Sequence, residues 1–256
     1  MEQTQTCDIC NGTGFVKTEK GAVKLCKCRY NGKDINKELN IPKRYWNATF
    51  ETFKPGHPSQ DIALMTAKRF AYSFNPEDGK GITFIGTPGV GKTHLAVATL
   101  KAIYEVKKVR GIFFDTKDLI YRLRRSMEEG KDIKFLNAIL NVPLLVLDDL
   151  GSERLSDWQK ELISYIITHR YNNLKSTIIT TNFKLDREES NTKISYDLGT
   201  RLGENVVSKI YEMNEILNHI NPQEVKYVWG LEITGEPKGG FWEERGYHLV
   251  GDPWEE

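Results

Sequence analysis

A parallel α/β fold with helices on both faces of the sheet, preceded by a small metal-folded module, is what this sequence predicts. Three observations carry the prediction. A glycine-rich loop, residues 86–93, follows a short apolar run and precedes a helical pattern. Further apolar runs of strand length alternate with amphipathic stretches of helix length, the signature of strands joined by helical crossovers. All four cysteines fall within the first 28 of 256 residues, as Cys7-x2-Cys10 and Cys26-x-Cys28.

The cysteine pairs come first in the chain. Fifteen residues separate them, enough for a short hairpin, and "GFVKTEKGAVKLC" alternates as a hairpin does, with Gly21 in its turn. Four thiolates around one ion form a closed tetrahedral site with no position left for substrate, so the metal is structural. It supplies folding energy that about 30 residues cannot gain from burial alone. Zinc is the expected metal at Cys7, Cys10, Cys26 and Cys28; an iron–sulfur cluster or free thiols are the alternatives. The module is assigned to residues 1–35. Residues 36–60, with a "GHP" turn and scattered polar residues, read as a linker.

The glycine-rich loop consists of Gly86, Thr87, Pro88, Gly89, Val90, Gly91, Lys92 and Thr93, a full match to G-x-x-x-x-G-K-[ST]. A strand over 82–85 precedes it, and a helix carrying Leu95, Ala98 and Tyr104 follows. Glycines let backbone N–H groups wrap phosphates, and the helix N-terminus adds its positive dipole end. Lys92 reaches the β- and γ-phosphates of ATP, and the Thr93 hydroxyl ligates Mg²⁺.

Such a loop needs an acid at the tip of a neighbouring strand. "VPLLVLDDLG" supplies a buried strand over 144–147, then Asp148 and Asp149. Asp148 is placed to hold Mg²⁺, and Asp149 to orient or deprotonate the attacking water, unless it only caps the next turn. "STIITTN", 176–182, ends a third strand; Asn182 is the candidate for a hydrogen bond to the γ-phosphate or the water, with Thr181 as fallback. "VRGIFFD" is a further strand, "TKDLIYRLRRSMEE" an amphipathic helix, and "SDWQKELISYIITHRYNN" a helix that Ser156 or Asp157 can cap.

Composition excludes other classes. With 39% hydrophobic and 28% charged residues, the chain is globular. No apolar run approaches a membrane span, and the polar, cysteine-bearing start does not read as a secretory signal. An intracellular, cytoplasmic protein is expected. Net charge is +1, so bulk charge does not attract nucleic acid. Residues 1–60 nevertheless carry ten Lys/Arg against six Asp/Glu, and residues 221–256 carry three against eight.

Taken in order, "IPKRYWNATFETF", "GTPGVGKTHLA", "LLVLDDLG", "HRYNN…STIITTN" and "LGENVVSKIYEM" resemble the DnaC-type replicative helicase loaders over about residues 1 to 220, with IstB-type transposition ATPases as near relatives. The resemblance implies an AAA+ core over 61–227 with a five-stranded parallel sheet, binding ATP between subunits of a homo-oligomeric open ring or spiral. It further implies that the cysteine module docks on a hexameric replicative helicase, which the loader places on single-stranded DNA. An ATP-gated adaptor with little hydrolysis and an IstB-like ATPase acting on duplex DNA are the alternatives.

The family usually carries arginine where this chain has Asn205 and Lys209. The second is the usual finger reaching a neighbour's ATP, and lysine lacks the planar fork of guanidinium. Arg201 and Arg170 are substitutes for that role. Lys226 is the counterpart of a further family arginine. Arg122, Arg124 and Arg125 beside Phe113, Phe114 and Tyr121 suit single-stranded DNA, or an ordinary amphipathic helix. Residues 228–256, with three of the five tryptophans, lie outside the resemblance and read as a packed extension or a partner-binding tail.

Overall fold

The computed structural model describes residues 15–17, 23–25, 34–128, 132–152, 155–185, 197–220, 227–228 and 231–232. Strands β1 (Phe15–Lys17) and β2 (Val23–Leu25) are antiparallel, with Phe15 opposite Leu25. This is the hairpin expected between the cysteine pairs. The four cysteines and Gly21 lie outside the described residues, as does Lys226.

Residues 36–60 are not a free tether. Helix α1 (Ile35–Glu38), capped by the Asp34 carboxylate, leads into a 3-10 turn at Lys43–Tyr45, and α2 (Pro58–Ser73) starts inside the segment with Pro58 in its first turn. Leu39, Ile41, Ala48, Phe50 and Phe53 are all buried in the core. Burying each of the four larger side chains, Leu39, Ile41, Phe50 and Phe53, is worth about 1.5–3 kcal/mol, so together they hold the segment firmly. Their spacing follows neither the helical nor the strand period, which is why the segment read as linker.

The core then runs β3 (Gly81–Gly86), α3 (Lys92–Lys107), β4 (Gly111–Asp115), α4 (Thr116–Glu128), α5 (Asp132–Asn141), β5 (Leu144–Asp148), α6 (Asp157–Asn172), β6 (Ser176–Thr181), α7 (Leu198–Leu202), α8 (Glu204–Met213) and β7 (Asn214–Ile220). Ser156 and Gln159 close α6 with a reciprocal capping box. Two short strands, β8 (Tyr227–Val228) and β9 (Leu231–Glu232), pair antiparallel farther on.

Five strands form one sheet in the order β4-β5-β6-β3-β7, every pair parallel. The three central strands β5, β6 and β3 are buried along their whole length because helices cover both faces. Leu144 and Val146 of β5 join the cluster under α2 and α3, while Leu145 and Leu147 join the cluster under α4, α5, α6 and α8. The order places β6 between β5 and β3. The carboxyl ends of these three strands therefore stand side by side, where open α/β sheets bind ligands.

Arg170 is not available to a neighbouring subunit. It is wholly buried, donating to the carbonyls of Ile139, Val142 and Ser176 and to Thr177 Oγ1. Burial lowers its pKa to about 9, and its fan of donors ties α6 to the sheet and to the end of α5.

Candidate nucleotide-binding site

The loop between β3 and α3 turns on two glycines. Gly89 and Gly91 have φ of 87° and 93°, a region that side chains rarely adopt. At Gly91 an added Cβ would also meet Phe53 Cε2 at 2.5 Å. Gly91 is the N-cap residue of α3 and offers no side chain, so the first N–H groups of that helix are left for a ligand.

Lys92 stands at the centre of the site. Its ammonium donates to the carbonyls of Gly86 at 2.9 Å and Thr87 at 2.8 Å, and to Asn182 Oδ1 at 2.7 Å. Burial lowers its pKa to about 8, although Asp149 and Asp148 pull the other way. Asn182 turns its amide nitrogen to Asp149 Oδ1 at 3.1 Å, linking lysine to acid through a single side chain.

Thr93 Oγ1 donates to Asp148 Oδ1 at 2.8 Å. The Asp148 carboxyl is pushed above its usual range, first by burial and further by Asp115 and Asp149, against the pull of hydrogen bonds from Thr180 and Thr93. A hydroxyl and a buried carboxylate oxygen side by side are the two protein donors that a nucleotide-bound Mg²⁺ takes, the rest coming from phosphate and water. The donor set fits the ion.

Asp149 adopts the left-handed conformation at φ 57°, and Gly151 follows at 82°. Thr116 Oγ1 donates to the Asp148 carbonyl at 2.8 Å and Thr181 Oγ1 to the Leu150 carbonyl at 2.8 Å. Thr181 is thereby committed to the turn and buried, which leaves Asn182 as the polar residue of β6 that meets the site.

A second layer comes from the segment read as linker. Phe53 stacks edge-on against His94, with centroids 5.2 Å apart. His94 Nε2 donates to the Thr49 carbonyl at 2.8 Å, and Gln60 Nε2 to the Val90 carbonyl at 3.0 Å. Sequence reasoning missed these contacts along with Thr116 and Thr180; "TT" before Asn182 was the visible signal for the last.

The structure brings Lys92, Thr93, Asp148, Asp149 and Asn182 into one connected network. Lys209 stands apart on α8, its ammonium donating to the Asn205 carbonyl of its own helix at 3.1 Å. Arg201 approaches the acidic turn from behind, through Gly151. On β4, Phe113 and Phe114 are buried and cannot stack on bases, whereas Tyr121 on α4 is exposed; Arg122 pairs with Asp118 at 2.8 Å. The aromatic half of the DNA-binding expectation thus reduces to Tyr121.

The sequence pattern of IstB-like ATP-binding proteins matches residues 33–194. A solved structure of a DnaC helicase loader is 69% identical, with a TM-score of 0.64, covering 70% of this chain and 100% of that one. The chain belongs to the DnaC-type helicase-loader family, among the IstB-like ATP-binding proteins. Its sheet order, with the phosphate loop after β3, is that of the AAA+ core expected. The replicative helicase loader DnaI of Bacillus subtilis is 27% identical over 60% of this chain, and the replicative helicase loader DnaC of Buchnera aphidicola subsp. Schizaphis graminum is 32% identical over 56%. The matched regions span 50% and 58% of those two proteins, about half their length. Among the described residues of this DnaC-type chain, no helix is long and apolar enough to cross a membrane.

Proposed function

We propose that this chain is an ATP-dependent loader that binds a hexameric replicative helicase and places it on single-stranded DNA. The observation that supports this best is the connected Lys92–Asn182–Asp149 and Thr93–Asp148 network in a chain so similar to a DnaC helicase loader. The protein acts in the cytoplasm as a homo-oligomer in which each ATP lies between subunits.

In hydrolysis, the loop N–H groups and Lys92 hold the phosphates, and Lys92 exchanges its carbonyl partners for phosphate oxygens. Thr93 and Asp148 would hold Mg²⁺, which when bound would neutralise phosphate charge. Asp149 accepts a proton from the attacking water as its oxygen bonds to the γ-phosphorus and the bond to ADP breaks. Asn182 orients that water or the γ-phosphate, and Lys209 of a neighbouring subunit supplies positive charge.

The handle that docks on the helicase is the zinc-binding module over residues 1–35, through Cys7, Cys10, Cys26 and Cys28. The ATP-gated adaptor is the second reading, favoured by lysine rather than arginine at 209. Co-purification with a hexameric replicative helicase, with and without ATP, tests the proposal. Retention of the hexamer supports it; no retention, together with ATP-dependent filaments on duplex DNA, favours an IstB-like transposition role.

A further inference from the structure

Thr180 is the penultimate residue of β6 and is 1% exposed. Its hydroxyl donates to Asp148 Oδ1 at 2.6 Å and accepts from the Asp149 backbone N–H at 2.9 Å. Its own carbonyl accepts from the Leu150 N–H at 2.8 Å. One residue therefore fastens the N–H groups on both sides of Asp149 and one oxygen of Asp148.

We propose that Thr180 is the positioning residue of ATP hydrolysis, setting the metal-side carboxylate of Asp148 and the water-side carboxylate of Asp149 in fixed register. This rests on the ATPase reading above.

The physical need is specific. Asp149 is not a glycine, yet it holds φ 57°. A non-glycine residue there costs about 1–2 kcal/mol, so the backbone stays only if flanking contacts determine it. Thr180 supplies those contacts. The left-handed turn carries the Asp149 side chain to Asn182 Nδ2, and thence to Lys92. On the other side, Asp148 Oδ1 receives two hydroxyl donors, Thr93 and Thr180, so its rotation is fixed from both the helix and the sheet. A hydroxyl has a single proton, which goes to Asp148; the lone pairs remain for Asp149 N–H. Valine has the same shape and strand preference but neither function. The buried position alone thus gives no reason for threonine.

The test compares Thr180→Val and Thr180→Ser with the parent, in the full chain, by two readouts. The first is steady-state ATP hydrolysis, split into kcat and KM. The second is binding of a fluorescent ATP analogue with Mg²⁺ and with EDTA, which needs no turnover. Thr180→Val should lower kcat by about 10- to 100-fold, the effect of losing a hydrogen bond to a charged group, with KM little changed. It should also lose most of the affinity gained from Mg²⁺, and Thr180→Ser should recover both. If Thr180→Val fails to melt cooperatively, Thr180→Ala removes the same hydroxyl and is read the same way. Parent-like kcat and Mg²⁺ response in the hydroxyl-free variant, or no recovery in a folded Thr180→Ser, would overturn the proposal. A parent with no turnover defeats the ATPase reading instead, and the Mg²⁺ readout still decides the role of Thr180 in setting Asp148.

Discussion

Arg201 donates from Nη1 to the Gly151 carbonyl at 2.8 Å, and its guanidinium carbon lies 3.9 Å from the centre of the Phe183 ring. Both partners belong to the same chain as Arg201. They lie just past Asp149 and just past Asn182, so Arg201 braces the two strand ends that carry the acidic and amide groups. That arrangement suits a role within the subunit better than a reach toward a neighbour.

Arg201→Ala should therefore lower ATP turnover and reduce stability by about 2–4 kcal/mol, the sum expected of a charged hydrogen bond and a partly exposed ring contact. A mixing experiment separates cis from trans action. Arg201→Ala subunits mixed with Lys92→Ala subunits should stay as inactive as either alone. Recovery of turnover in the mixture means that Arg201 acts on the neighbour's nucleotide.

Lys209 carries the expectation for the trans position. An arginine finger supplies about 10³- to 10⁵-fold in rate by matching charge that develops on the phosphoryl group. Lysine presents a more strongly hydrated point charge. Lys209→Arg should raise turnover, and Lys209→Ala should lower it with ATP affinity unchanged, as measured by steady-state kinetics and equilibrium binding. Parent-like rates in both variants would remove Lys209 from the mechanism.

Burial holds the free Lys92 ammonium at about 8, below the ordinary lysine value of 10.5. Phosphate beside it favours the charged form, so its pKa rises when ATP binds. Below pH 8 the lysine is already charged and affinity does not depend on its titration. Above pH 8 binding must take up a proton, and affinity should fall up to about tenfold per pH unit. ATP titrations between pH 7 and pH 10 measure this. A flat profile would contradict the shifted lysine.

The cysteine module should hold one zinc per chain. Cys26→Ser should release the metal and abolish helicase retention while ATP binding persists, because the glycine loop folds with the core. Elemental analysis of the native protein checks the metal directly. Iron, or no metal, would refute the zinc assignment.

Much of the site was legible because its chemistry is local in sequence. The loop over 86–93 and the Asp148–Asp149 pair each follow an apolar strand, and Asn182 follows a third. Parallel pairing then brings those three strand ends together. What stayed hidden depends on contacts between distant segments. Phe53 meets Gly91, and Thr180 meets Asp149, through tertiary packing that no period announces. Helix α5 and strand β7 were likewise unassigned, since a ten-residue helix and an edge strand of mixed polarity give weak patterns. Arg170 reads from the sequence as a substitute finger because arginine is usually exposed; its carbonyl cage is visible only in the fold.

In the proposed function, ATP bound at Lys92 drives placement of a closed helicase ring on a single strand. A covalently closed circle of single-stranded DNA has no end to thread, so a ring helicase reaches it only by opening. The decisive measurement is the amount of hexameric replicative helicase recovered on such circles after gel filtration. Recovery is expected with the parent chain and ATP, and only background with Lys92→Ala. Equal recovery with Lys92→Ala, or without the protein, would contradict ATP-driven loading.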